Sequence, residues 1–274
     1  MFAVSIANYW IKSAVAPATL ERKELVYSTL FVHQQYQHYG HELNQIHFLF
    51  DQLPFTLHKG RNCIKIMEIA GKKFVVKRFG RITLANRVIY RCFRKSKARR
   101  AFDNANTLRK KGIHPPMPVG YLEINDRLTL RTSYFVSEYQ PGQRLTHLPS
   151  CPHDTRALLD ALGEYVFRLH QHGVFHRDLN PGNVLYQRDL DGQFSFSLLD
   201  NNRMRFERAT SRARVKNLDR LSLSIDALAQ VIQRYAELSG LDAFDIMREA
   251  LCFHHIDLER RRFRAQLKIK LGWN

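Results

Sequence analysis

Cysteine is scarce in this chain. Four residues, Cys63, Cys92, Cys151 and Cys252, are spread over 274 positions, and no two stand at C-x-x-C spacing. That spacing supports neither a zinc site nor a disulfide framework, and free thiols in a reducing cytoplasm are the expectation. Long apolar runs are missing too: no stretch reaches the ~18–20 apolar residues that span a bilayer. The first twenty residues are moderately apolar, but Asn8, Lys12 and Pro17 interrupt them and no basic region leads them, so no secretory signal is expected. Neither an internal repeat nor a low-complexity linker occurs. His254-His255 is an isolated pair and reads as surface or packing rather than as a ligand set. Acids are also few: 25 Asp and Glu face 43 Lys and Arg, a formal charge of +18. Such a balance attracts polyanions (nucleic acid, an anionic membrane, a phosphorylated glycolipid) without choosing among them. The length suits one large domain or two lobes sharing a cleft.

What is present is concentrated in Val174 to Leu185, V-F-H-R-D-L-N-P-G-N-V-L. His176-Arg177-Asp178 is followed five residues later by Asn183, and an apolar strand then ends in Leu198-Leu199-Asp200. This is the spacing of a phosphoryl-transfer site of the protein-kinase type. A hydroxyl attacking the γ-phosphate of ATP needs a carboxylate to orient it and take its proton, and Asp178 fits that role. The triphosphate needs Mg²⁺, a hard cation that takes oxygen ligands; Asn183 offers an amide oxygen and Asp200 a carboxylate. A chance match would not bring the flanking helix and strand as well.

Around this stretch the chain reads in order as follows. Leu20 to Tyr39 has Leu25, Thr29, Val32 and Tyr36 at helical spacing, and residues 1–50 read as an N-terminal extension. Phe55 to Phe79 reads as three short strands, with turns at 58–62 and 70–73. Lys77 ends the third, where it would place a point charge on the α- and β-phosphates. The first turn holds one glycine, Gly60, whose neighbourhood would cover phosphates through backbone N–H groups; a G-x-G-x-x-G loop is absent. Residues 81–111 carry eleven cations against one acid, Asp103, and read as an anion-binding surface. A kinase places an acid on the helix after the strand lysine to hold that lysine, and Asp103 is the only local candidate. Val119 to Glu123 and Arg127 to Tyr139 form a strand pair leading to a hinge, where backbone groups of Glu138, Tyr139 and Gln140 would bind the adenine edge. Thr155 to His172 is an amphipathic helix through Leu158, Leu162, Val166 and Leu169. Beyond Asp200 lie a basic run (205–220), a buried helix marked by Leu218, Leu221, Ile225, Leu228, Ile232 and Tyr235, and a basic tail, Arg260 to Arg264, with an aromatic inside it. That tail suits a membrane surface or a phosphorylated ligand.

Strand lysine, hinge, H-R-D-x-x-x-x-N and a following Asp, over residues ~55–240, resemble the protein-kinase-like superfamily. Asn180 stands where Ser/Thr kinases usually carry lysine, Asp200-Asn201-Asn202 replaces D-F-G, and no A-P-E segment follows. Lys59 to Lys65, Lys77-Arg78-Phe79 and the D-N-N-R-M run look like the lipopolysaccharide kinases that phosphorylate Kdo or heptose of the inner core. The resemblance implies an α+β, bilobal protein-kinase-like fold, with a small antiparallel β-rich N-lobe (51–140) and a mainly helical C-lobe (141–274). It implies ATP and Mg²⁺, with Asp178 as base, Asn183 and Asp200 on the metal and Lys77 on phosphate. It also implies a lipopolysaccharide-core or Kdo–lipid A acceptor at the cytoplasmic face of the Gram-negative inner membrane, with the protein peripheral on that anionic surface and nucleic acid not its partner. The alternatives are an atypical protein kinase, a small-molecule phosphotransferase of the aminoglycoside or choline type (whose loop carries Gly where Arg177 stands), and a catalytically dead kinase fold binding anionic glycolipid or RNA.

Overall fold

The computed structural model of the protein describes residues 11–14, 26–80, 89–90, 94–208 and 210–270. The chain divides into two compact units, Met1–Gln140 with Asp200–Asn202, and Pro141–Leu199 with Arg203–Asn274. The fold class is α+β, with an antiparallel sheet in the first unit and helices dominating the second.

The first unit is built on seven antiparallel strands in the order β1 (Ile11–Ala14), β2 (Tyr27–Val32), β6 (Pro118–Asn125), β7 (Leu130–Glu138), β5 (Lys72–Phe79), β4 (Asn62–Ile69), β3 (Phe55–Lys59). Alternation gives the sheet two apolar faces, because successive strand residues point to opposite sides. Phe74, Val76, Leu122, Tyr134 and Val136 face a core closed by Leu43, Ile46 and Phe50, from the short helices α1 (Gly40–Asn44) and α2 (Ile46–Leu49) and the turn after them. Phe79, Tyr121 and Phe135 face the other way, onto Ala98, Ala101 and Phe102 of α3 (Lys97–Lys110). Phe102 meets Phe31 and Tyr121 at centroid distances of 5.0 and 5.6 Å. Ser96 caps α3 by accepting the Arg99 N–H at 3.0 Å, and Gly112, at φ 73°, lets the chain leave it.

Two expectations change here. Residues 1–50 are not an extension to this sheet: they contribute β1 and β2, and β2 pairs with β6 over six residues. Nor is the described part of 20–39 an α-helix. Ser28 and Leu30 point inward from a strand rich in β-branched and aromatic residues, and a 3-10 helix, Gln34–Tyr39, follows. Pairing with a distant strand overrides the local four-residue pattern. Residues 20–25, and 81–88 and 91–93 of the basic run, lie outside the described residues.

In the second unit α4 (Pro152–Gln171) packs against α6 (Ile225–Ser239). Leu158, Leu162, Val166 and Leu169 are all fully buried, as are Val231 and Tyr235. The helices meet so closely at Gly163 that a Cβ there would stand 2.8 Å from the Val231 carbonyl oxygen. The helix expected through Leu218 to Tyr235 is two: α5 (Ser211–Asp219) ends before Ser222, which sits at φ 48°, and Ser224 caps α6. Two small antiparallel sheets carry the loops of interest: β8 (Gln143–Arg144), β10 (Val184–Arg188) and β11 (Phe194–Leu198) in one, β9 (Val174–His176) and β12 (Met204–Phe206) in the other. The last helix, α7 (Ala243–Lys270), buries Ile246 and Ala250 and then leaves Leu251, Ile256, Phe263 and Leu267 exposed.

Candidate active site

The candidate catalytic stretch, in the second unit, is a loop strung between β9 and β10. His176, fully buried at the end of β9, accepts the Asp178 N–H on Nδ1 at 3.0 Å. Its proton therefore sits on Nε2, which donates to the Leu199 carbonyl at 2.9 Å. Asn183 donates its amide to the Asp178 carbonyl at 2.8 Å, and Leu199 N–H donates to the Asn183 carbonyl at 2.8 Å. Asn180 closes the loop, accepting Gly182 N–H at 3.0 Å and lying 3.3 Å from Asp178 Oδ1. Arg203 stands on the other side, with Nη1 3.8 Å from Asp178 Oδ2. The Asp178 carboxylate is thus approached from both ends while nearly half exposed.

A buried polar chain supports this loop from behind. Asn217 of α5 donates to the His176 carbonyl at 2.8 Å, His170 of α4 lies 3.2 Å from Asn217 Oδ1, and the Tyr235 hydroxyl is 3.0 Å from His170 Nδ1. Burial pushes the His170 pKa down to about 4, so the ring is neutral and donates through Nε2. Sequence reasoning missed all three: His170 looks like one more residue on an apolar helix face, and its partners lie 47 and 65 positions away.

The first unit brings together Lys77 and Asp200. Lys77 is buried on β5, and Nζ is 2.8 Å from Asp200 Oδ1. The same oxygen accepts the Asn202 side-chain amide. Asp200 stands at φ 54°, in the left-handed region that costs a non-glycine residue about 1–3 kcal/mol and recurs at functional sites. Asn201, next to it, is buried; its carbonyl accepts the Asn104 amide at 2.7 Å, whereas its own Oδ1 finds no partner among the described residues. A buried unmet acceptor costs roughly 1–3 kcal/mol more. The turn is therefore held against a local preference. Asp103, expected to hold Lys77, instead pairs with Lys95 at 2.6 Å: one step along a helix turns a side chain by about 100°, and Asn104 is the residue that meets the Asp200–Asn202 turn.

The hinge candidates lie at the end of β7, and Gly60 lies in the β3–β4 turn. Glu138 N–H donates to the Met117 carbonyl at 2.9 Å and Tyr139 N–H to the Lys73 carbonyl at 3.0 Å, so both amides are spent inside the sheet. The Glu138 carboxylate accepts the Tyr36 hydroxyl at 2.5 Å and pairs with Lys72. Burial alone would raise its pKa, but these two partners outweigh burial and hold it below the ordinary value. Gln140 is the last residue of the first unit. Gly60 sits in the β3–β4 turn, but its N–H donates to the Asn62 carbonyl at 3.1 Å. The glycine that admits a close approach there is Gly80, where a Cβ would stand 2.6 Å from the Arg61 carbonyl oxygen.

Taken one unit at a time, Asn183 and Asp200 each offer an oxygen of the kind Mg²⁺ takes. Among the described residues no three His, Cys, Asp or Glu side chains cluster as metal ligands. Asn183 spends its amide N–H on a carbonyl and keeps its oxygen; both contacts to the Asp200 carboxylate fall on one oxygen. Oxygen ligands supplied sparingly by protein, with phosphate oxygens and water completing the shell, are what Mg²⁺ takes.

A β-rich unit with a buried strand lysine and a helical unit with an H-R-D-x-x-x-x-N loop make up a phosphotransferase of the protein-kinase-like fold, acting on a hydroxyl group. Residues 59–241 match the model of the lipopolysaccharide kinase (Kdo/WaaP) family, and the chain belongs to that family. In fold it is similar to WaaP, solved in complex with acyl carrier protein, at 19% identity and a TM-score of 0.57 over 86% of this chain and 98% of that one. It also matches an aminoglycoside-3'-phosphotransferase of type VIII, at 15% identity and a TM-score of 0.49 over 81% of this chain and 100% of the other. A match to the Rio2 kinase–ADP/Mg²⁺–phosphoaspartate complex from Chaetomium thermophilum has 15% identity and a TM-score of 0.43 over 87% and 71%. Comparison with curated protein sequences gives no match.

Proposed function

We propose that the protein transfers the γ-phosphate of ATP to a hydroxyl of an inner-core sugar, Kdo rather than heptose, on a lipid A-linked acceptor. Asp178 orients that hydroxyl; as its oxygen bonds to the γ-phosphorus and the bond to the ADP oxygen breaks, the proton passes to the Asp178 carboxylate. Lys77 holds the phosphates that are not transferred. Asn183 and Asp200 would hold Mg²⁺, which when bound neutralises charge on the β- and γ-oxygens. Around adenine, the Glu138–Gln140 segment would act through carbonyl oxygens, since the first two amides are taken.

The observation that carries the acceptor reading is Arg203. Its half-exposed guanidinium stands beside the half-exposed Asp178 carboxylate, at 3.8 Å. A neutral hydroxyl donor has no need of a cation there, whereas the Kdo carboxylate can take a guanidinium in bidentate fashion. That contact would bring an acidic sugar's hydroxyl to Asp178, where positioning lowers the barrier most.

Location follows from the same acceptor. No helix among the described residues is long and apolar enough to cross a membrane. From Arg260 to Lys270, α7 has six cations and no acid, with Phe263 and Leu267 exposed. Cations interleaved with apolar groups suit the anionic cytoplasmic face of the inner membrane, with the protein peripheral on it.

The test incubates the enzyme with ATP and Mg²⁺ against Kdo–lipid A, the same acceptor without Kdo, and a generic protein. Only the first is labelled, Asp178→Ala loses about 10²–10⁴ in rate, and Arg203→Ala raises KM for the acceptor while KM for ATP holds. Equal labelling of the Kdo-free acceptor removes Kdo as the target; labelling of the protein alone makes this an atypical protein kinase.

A further inference from the structure

Helix α3 contains one acid, Asp103, and that acid is paired with Lys95. Lys77 is paired with Asp200 instead. Nothing carboxylic on α3 grips the strand lysine, yet the helix still reaches the same neighbourhood. It does so through Asn104, half-buried, whose amide donates to the Asn201 carbonyl at 2.7 Å across 97 positions of sequence. The residue so held lies between Asp200, at a positive φ of 54°, and Asn202, whose amide donates to the Asp200 carboxylate. A bond to the Asn201 carbonyl fixes the Asn201–Asn202 peptide plane, and so the place from which Asn202 reaches back to the Asp200 carboxylate.

We propose that Asn104 is a positioning residue for Asp200. Through the Asn201 carbonyl it makes α3, rather than a lysine–carboxylate pair on that helix, set the conformation in which Asp200 presents its carboxylate to Mg²⁺. The inference rests on the reading of Asp200 as a metal ligand. Without the Asn104 bond, Asp200 has a strained backbone and nothing on α3 to hold it there. It relaxes toward ordinary φ, and its carboxylate turns away. The cost then falls on Mg²⁺ affinity, while Lys77, fixed in its own strand, keeps its contact with the phosphates.

The experiment titrates Mg²⁺ in a fluorescent-ADP binding assay, which needs no acceptor, with thermal unfolding measured in parallel on the full chain. Asn104→Ala raises the Mg²⁺ concentration for half-maximal nucleotide binding about tenfold, equivalent to about 1.4 kcal/mol, and leaves binding at saturating Mg²⁺ near the parent level. Asn104→Leu keeps the branched side-chain shape without the amide and shows the same shift, so the reading survives if the alanine variant folds badly. Asn104→Gln, which retains a donor, recovers most of the loss. Asp103→Ala, one residue away and unable to touch this turn, leaves the Mg²⁺ response unchanged. An unshifted Mg²⁺ response in both the alanine and leucine variants overturns the proposal. So does binding that falls equally at every Mg²⁺ concentration as the unfolding midpoint drops, which is a purely structural role. Asp200→Ala separates this from the underlying reading. If it leaves Mg²⁺-dependent binding intact, Asp200 is not a metal ligand and the reading itself fails; if it abolishes that binding while the Asn104 variants are unaffected, only the positioning role fails.

Discussion

His170 shows how a single side chain can tie the catalytic loop to pH. Unfolded, it takes up a proton near its ordinary pKa of 6.5; folded, it does so only near 4, because burial opposes the charge. Between those values the unfolded chain binds more protons, so acid favours unfolding. The stability that belongs to the neutral ring is full above pH 6.5 and is lost as the pH falls through about 4. It amounts to roughly 3 kcal/mol at about 1.4 kcal/mol per pH unit. Urea unfolding at pH 7.5 and 4.5 should show that loss, and His170→Gln should flatten much of it; an equal slope in the variant would assign the acid sensitivity elsewhere. The two kinds of site residue differed in how visible they were in sequence. Asp178, Asn180 and Asn183 bond to one another within five positions, so their contacts are written in local spacing. Asn104 with Asn201, and His170 with Asn217, are joined through space across 97 and 47 positions, and no spacing rule reaches so far.

Among the elements, α4 was legible because its burial repeats every three to four residues, and Leu158, Leu162, Val166 and Leu169 are buried as that period requires. β2 was not, because Leu25, Thr29, Val32 and Tyr36 mimic a helix face until β6 arrives from the far side of the sheet to pair with it. The contact of α4 with α6 was likewise invisible in sequence, though it is sharply defined. At Gly163 an added methyl would meet the Val231 carbonyl at 2.8 Å and the Arg234 Cβ at 2.9 Å. Alanine is the better helix former by about 1 kcal/mol, but forcing these helices apart costs about 1–3 kcal/mol. Gly163→Ala should therefore destabilise on balance. Gly40→Ala, in α1 with nothing within 4 Å, should stabilise or leave stability unchanged. Denaturant midpoints decide it, and a gain at Gly163 would mean that the helices separate freely.

At the scale of the whole molecule, the +18 charge gives a quantitative expectation. The protein should sediment with vesicles containing anionic lipid at low salt and leave them at 1 M salt, where the screening length is ~3 Å. Replacing Arg260 and Arg264 with glutamine should weaken binding about thirtyfold, at about 1 kcal/mol per cation. Retention in high salt would show that Phe263 and Leu267 insert and that charge is secondary. The fold class was readable because strand, hinge and loop motifs occur in the order a kinase uses. What sequence order conceals is that Asp200–Asn202 belongs to the first unit although it lies sixty residues beyond Gln140. The N-terminal unit therefore cannot travel as one uninterrupted piece of gene. A fragment ending at Gln140 would carry Lys77 buried without the carboxylate it pairs with, a loss that breaking a buried ion pair makes expensive. Recombination at that boundary would part Lys77 from Asp200 unless Asp200–Asn202 came from the same parent.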